Sequence, residues 1–231
     1  MAIKGVLFDF SGTLFRIEPA ESWLRVGLDR LGIALPEPEL ARWARRLADA
    51  GALPGGSSPR SVPPRLARLW EERDRTAELH RELYTGLARQ AELPWPEAYD
   101  VLYDRHREPA AWTPYPDAAE VLGTLRERGV GVAVVSNIGW DLRPVFREHG
   151  LDDLVAAYVL SYEHGAQKPD PRLFRAACGA LGLAPRDVLM VGDDARADGG
   201  ATALGCELEL VDHLPAAERP GGLRPLLTRL G

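Results

Sequence analysis

Hydrophobic positions fall into two regimes along this chain. The first is brief: Val6, Leu7 and Phe8 form an apolar run that stops on Asp9, and Ser11-Gly12-Thr13 turns the chain at once. A short run bounded by a turn reads as a buried parallel strand that delivers a carboxylate to the edge of a sheet. From about residue 18 to 107 the pattern is helical, with no convincing β pattern. Residues 21–31 open a first helix. Residues 36–50 predict a second, with Leu40, Trp43, Ala44 and Leu47 at i, i+3, i+4 and i+7. The stretch 51–64, rich in Gly, Pro and Ser, is expected to be a mobile or surface-wrapped loop. Helical spacing resumes over 65–90, first on Leu66, Leu69 and Trp70, then on Leu79, Leu83 and Leu87 along a shifted face. Residues 96–107 complete the set and stop before Pro109.

The second regime begins at Trp112. Helical patterns over 116–128, 141–149, 171–181 and 195–204 alternate with apolar strands over 130–135, 156–160, 187–191 and 207–211. Gly129, Gly150, Gly182 and Gly205 stand behind the four helices, as left-handed C-terminal caps favour. Strands alternating with helices imply an α/β fold, a doubly wound parallel sheet covered on both faces. That sheet domain is split: residues 1–16 and 112–231 build it, and residues 17–111 form an inserted all-helical domain. Arg16 to Pro19 marks one hinge; Pro109, Pro114 and Pro116 mark the other.

Composition narrows the partners. A net charge of −6 and a pI near 5.5 leave no electrostatic footprint for nucleic acid. No segment approaches the roughly 20 apolar residues of a membrane span, and Asp9 breaks the N-terminal apolar run too early for a signal peptide. Only two cysteines occur, Cys178 and Cys206, which fits a reducing, cytoplasmic setting. Nothing in the pattern sets an oligomeric state. Lys4 and Lys168 are the only lysines, every other basic residue being Arg. A coding bias accounts for most of this, yet it singles out Lys168, since a compact ammonium does not substitute for a guanidinium fork.

In a doubly wound sheet, ligands bind beyond the carboxyl ends of the strands at a topological switch point. Three strand ends here carry polar residues: Asp9, Ser136-Asn137 and Asp193-Asp194, and the loop 163–170 adds Lys168. Together they offer a carboxylate nucleophile, hydroxyl and backbone donors, a fixed cation and acids for Mg²⁺. Blander roles compete. Ser136 suits a helix N-cap, Asn137 a turn, and Asp198 a partial cap of the helix after it. Asp170, before Pro171, reads as a cap rather than a ligand. His80 and His106 read as surface or packing residues, while His164, close to Lys168, has a slightly better claim on the site.

The motifs Asp9-Phe10-Ser11-Gly12-Thr13, Ser136-Asn137, Lys168-Pro169-Asp170 and Gly192-Asp193-Asp194 with Asp198, in that order, resemble those of the haloacid dehalogenase-like (HAD) superfamily with an α-helical cap inserted after the first strand. The core resemblance covers residues 1–15 and about 112–211; the insert matches in position and helical class only. The resemblance implies a Rossmann-like core and a cap that closes over a small phosphorylated metabolite. It implies Asp9 as the nucleophile of an aspartyl-phosphate, and Thr13, Ser136, Asn137 and Lys168 as phosphate or substrate contacts. Mg²⁺ would be held by Asp9, Asp193 and the Ser11 carbonyl, with Asp194 and Asp198 as further or outer ligands.

Ser11 departs from the family's phosphatase pattern, which carries a second Asp at that position to protonate the leaving oxygen and activate water. A serine hydroxyl does neither unaided. General acid–base help is worth about 10²–10⁴ in rate, a small part of the acceleration in phosphate ester cleavage, so the departure slows a phosphatase without abolishing it. Three readings stand: a slow Mg²⁺-dependent phosphatase-type hydrolase; a catalytically weakened HAD protein that binds a phosphorylated ligand or protein partner; and a metal-free 2-haloacid dehalogenase-type hydrolase, against which Asp193 argues.

Overall fold

The computed structural model describes residues 3–230; residues 1, 2 and 231, which belong to the expected sheet domain, lie outside the described residues. The strands are β1 Gly5–Phe8, β2 Phe15–Ile17, β3 Trp112–Pro114, β4 Gly131–Ser136, β5 Ala157–Leu160, β6 Val188–Gly192 and β7 Glu207–Leu210. Five of them form one sheet in the order β5-β4-β1-β6-β7, with every neighbouring pair parallel. β1 takes the centre because Val6, Leu7 and Phe8 are apolar on both faces and wholly buried. Its register sets Gly5 opposite Gly131 on one side and Val188 on the other. The chain builds β4 and β5 outward on one side of β1 and β6 and β7 on the other, so the switch point falls at the carboxyl end of β1.

The helices are α1 Ala20–Arg30, α2 Glu37–Asp49, α3 Ala67–Glu72, α4 Ala77–Ala88, α5 Ala98–His106, α6 Ala118–Glu127, α7 Arg143–Glu148, α8 Ser161–His164, α9 Pro171–Leu181 and α10 Pro225–Arg229. On one face of the sheet, Leu7, Ala133, Val135, Val159 and Met190 pack with Leu173, Phe174 and Ala177 of α9. Full burial of Leu173 and Phe174 contributes about 1.5–3 kcal/mol each. Asp170 caps α9 by accepting from the Arg172 N–H at 2.9 Å.

The chain divides into two compact units. One comprises the chain up to Arg16, Asp74–Thr76 and everything from Thr113 onward; the other comprises Ile17–Arg73 and Ala77–Trp112. The second unit is helical, α1 to α5. Leu40, Trp43, Ala44 and Leu47 of α2 are all buried, as their spacing predicts. Trp23 of α1 is anchored by an Nε1–H bond to the Leu102 carbonyl of α5 at 2.8 Å, and buried Arg105 donates to Glu18 at 2.7 Å. Residues 51–59 form no helix or strand, yet Ala52 and Leu53 are buried, so the loop wraps onto its unit.

Two expected helices differ. The single stretch over 65–90 is broken into a 3₁₀ turn, α3 and α4, with residues 73–76 between them. The Asp74 N–H bonds Gln167 Oε1 at 3.2 Å, and its carbonyl accepts from Ser161 Oγ at 2.5 Å. Partners far away in sequence therefore draw the backbone out of the helical ladder. The helix expected over 195–204 is instead a turn followed by a 3₁₀ run, Asp198–Leu204. Asp194 and Asp198 side chains take the N–H groups of Arg196, Ala197 and Asp194, and Gly199-Gly200 weakens the helix further. No helix among the described residues is long and apolar enough to cross a membrane.

Candidate active site

The sheet places Asp9 at the carboxyl end of β1, where its N–H bonds the Val191 carbonyl at 2.9 Å. Behind it, Phe10, Phe15 and Phe146 pack ring on ring, with centroids 4.9–6.0 Å apart, and fix the turn from the apolar side. The turn itself needs glycine. Gly12 has φ +84°, and a β-carbon there would strike both the Asp193 carboxylate and the His213 ring. A β-carbon on Gly192 would likewise strike Asp198.

Lys168 joins the strand-end acid Asp9 to Asp198 at the start of the 3₁₀ run. Its Nζ lies 2.7 Å from Asp9 Oδ1 and 2.6 Å from Asp198 Oδ1, with Lys168 and Asp198 both buried. Asn137 holds the backbone of that lysine: its Nδ2 donates to the Lys168 carbonyl at 3.0 Å and its Oδ1 accepts the Lys168 N–H at 2.6 Å. Asp9, Asp193 and Asp198 each offer a carboxylate oxygen within 4.8 Å of the others. Burial pushes the Asp9 carboxyl up to about 8; Lys168 pulls it back, and Asp198 and Asp193 lift it again. For Lys168 burial disfavours the charge, but Asp198 and Asp9 outweigh it and hold the ammonium protonated. Three acidic groups thus crowd around a single ammonium.

The remaining candidates separate. Asp194 is exposed, and its Oδ1 accepts the N–H groups of Arg196 at 2.8 Å and Ala197 at 2.9 Å, so it shapes the turn and lies outside the acid group. Asp198 Oδ2 accepts the Asp194 N–H at 3.0 Å, leaving Asp198 bonded on both oxygens. Ser136 is buried at the end of β4. Ser11 Oγ and Thr13 Oγ1 are buried without a hydrogen bond to any described residue. His164 is exposed at the end of α8, and His80 and His106 are buried in the helical unit, stacked 5.6 Å apart.

Two residues of the site escape a reading that stops at the last strand. His213 bonds Asp193 Oδ2 through Nδ1, and buried Arg219 donates to the carbonyls of Gly12 and Thr13. Asp212-His213 sits just beyond β7, so the strand-end rule that picks out Asp9 and Asp193 applies to it as well.

With this geometry in place, likeness to known proteins becomes informative. Over 121 residues, 52% of this chain and 45% of the relative, the sequence is 38% identical to a phosphoserine phosphatase of Thermus thermophilus. The match thus spans under half of that phosphatase. Over 204 residues, 88% of this chain and 82% of the relative, it is 29% identical to (S)-2-haloacid dehalogenase 1 of a Pseudomonas species. A crystal structure of a dehalogenase with an intermediate complex superposes with a TM-score of 0.63 at 26% identity, covering 91% of this chain and 85% of that one. The model of the haloacid dehalogenase-like hydrolase family matches residues 3–203, and the chain belongs to that family of hydrolases.

Proposed function

We propose that this hydrolase is a Mg²⁺-dependent phosphatase that acts on a small phosphorylated metabolite through Asp9. The observation that carries the reading is the convergence of Asp9, Asp193 and Asp198 within 4.8 Å, with Lys168 bonded to two of them. An all-oxygen donor set with excess negative charge fits a hard divalent cation. Asp9, Asp193 and the Ser11 carbonyl would hold it, and the bound ion would offset charge on the carboxylates and the phosphoryl oxygens. Asp198, bonded on both oxygens, serves to fix Lys168; Asp194 only shapes the turn.

The residues divide the work as follows. A carboxylate oxygen of Asp9 attacks phosphorus, and the bond to the leaving oxygen breaks, giving an aspartyl-phosphate. The Thr13 and Ser136 hydroxyls and the Lys168 ammonium bind the phosphoryl oxygens, and Asn137 keeps Lys168 in register. Water then attacks phosphorus, which restores the Asp9 carboxylate and releases phosphate. Position 11 supplies no carboxyl group for either proton transfer, so substrates whose leaving oxygen is already a weak base, such as acyl and aryl phosphates, lose least. The free thiols of Cys178 and Cys206 support a cytoplasmic setting.

A second reading, metal-free 2-haloacid dehalogenation, draws on the 29% identity that runs through most of the dehalogenase. One experiment separates the two: a panel of phosphorylated metabolites and 2-haloacids assayed with Mg²⁺ and with chelator. Phosphate release that needs Mg²⁺ supports the phosphatase. Halide release unaffected by chelator overturns it. Mg²⁺-dependent protection by beryllofluoride without turnover on any substrate indicates a binding protein built on the same site.

A further inference from the structure

The segment after β7 carries no motif, yet it is fastened around the site. The Val211 N–H bonds the Gly192 carbonyl at 2.9 Å, which extends the β6–β7 pairing to the residue before Asp193. Arg219, buried, donates to the Asp212 carbonyl at 2.8 Å and the Gly12 carbonyl at 2.7 Å, and its guanidinium lies 3.3 Å from the centroid of the Tyr115 ring. The Tyr115 hydroxyl donates to the Leu214 carbonyl at 2.6 Å. The residues on both sides of His213 are therefore tied down by side chains from elsewhere in the same unit.

His213 itself bridges two charged groups. Nδ1 meets Asp193 Oδ2, and Nε2 meets Arg16 Nη1. A carboxylate only accepts and a guanidinium only donates, so the arrangement assigns the Nδ1–H tautomer: Arg16 donates to Nε2, and Nδ1–H donates to Asp193. One oxygen of Asp193 is thereby engaged and its rotation stopped. The same imidazole lies over Gly12, where a side chain would displace it.

We propose that His213 is a positioning residue that orients the Asp193 carboxylate for metal binding, delivered to the site by the C-terminal segment. The inference rests on reading Asp193 as a metal ligand. Outer partners that fix a ligand's orientation typically change metal affinity 10- to 100-fold when removed. The His213 side chain is 37% exposed, so replacing it leaves the core intact.

Direct binding of Mn²⁺, used as a spectroscopic stand-in for Mg²⁺ and measured by electron paramagnetic resonance or calorimetry, tests the proposal without reference to turnover. In the wild-type protein Mn²⁺ binds, and Asp193→Asn abolishes it. Failure of wild type to bind removes the metal reading itself and this proposal with it. His213→Ala is expected to weaken Mn²⁺ binding about tenfold or more, with an unchanged melting temperature. His213→Asn, whose amide falls where Nδ1 lies, should retain affinity within a few-fold. His213→Gln, whose amide falls where Nε2 lies, should resemble the alanine variant, and takes its place if alanine disturbs folding. Wild-type affinity in both His213→Ala and His213→Gln, or equal loss in the Asn and Gln variants, overturns the proposal.

Discussion

Ser11 and Asp9 sit two positions apart and pose opposite problems. Ser11 Oγ is buried with no hydrogen bond to a described residue, so a carboxylate placed there competes with no existing contact of the hydroxyl. Ser11→Asp is therefore expected to raise phosphate release from an alkyl phosphate by about 10²-fold, the lower end of general acid–base help, and to raise aryl phosphate turnover less. Equal gains on both substrates, or none in a folded variant, would show that proton transfer is not what position 11 limits. For Asp9 the issue is charge. Burial, then the neighbouring acids, lifts its carboxyl to about 8 against the pull of Lys168. A metal must displace that proton below pH 8, so Mn²⁺ affinity should rise roughly tenfold per unit from pH 6 to 8 and level off above it. The metal-free protein follows the opposite sign. The raised carboxyl contributes stability below about pH 4, and that contribution is lost as pH climbs through 8. Affinity flat from pH 6 to 8 would place the proton elsewhere.

The helical insert has its own pH response. His80 on α4 and His106 on α5 are both buried, and burial, aided by Arg73 and Arg107, holds His80 down at about 3. Burial and then His80 hold His106 well below its usual range. Unfolding lets both take up protons below about pH 6.5, so stability falls as pH drops below 6.5, with His80 alone contributing about 1.4 kcal/mol per unit down to about pH 3. Urea midpoints followed by tryptophan fluorescence at pH 7.5, 6.0 and 5.0 would reveal it; a midpoint constant between 7.5 and 5.0 contradicts buried neutral rings. The apolar periodicity that places α2 and α9 in the sequence survives in the structure because those helices bury the face their spacing defines. The break at 73–76 is not visible in that periodicity. Its cause is Ser161 and Gln167, far along the chain, bonding the Asp74 backbone. The 3₁₀ run at Asp198–Leu204 hides for a related reason, since Asp194 and Asp198 divert N–H groups that a helix would use.

The parallel sheet and the approach of Asp9 to Asp193 follow from strand ends that the sequence already marks, and the loop 163–170 brings Lys168 to them. Beyond the strand end at Asp212-His213 the C-terminal segment is not marked in this way, because Arg219 and Tyr115 hold it through backbone carbonyls, which leave no trace in residue type or period. The position of β1 has a further consequence, for birth rather than catalysis. The strand is made before the other strands of its sheet, yet both its neighbours, at Gly131–Ser136 and Val188–Gly192, come only after the helical insert. At about 5–20 residues per second, synthesis from Gly5 to Gly131 takes roughly 6–25 s, and β6 comes later still. Throughout that interval the apolar run Gly5–Phe8 lacks both its strand partners, while α1 to α5, all made before β4, have time to pack. The nascent chain thus passes through a stage in which its central apolar strand has no partner, and the helices that separate β1 from β4 set how long that stage lasts.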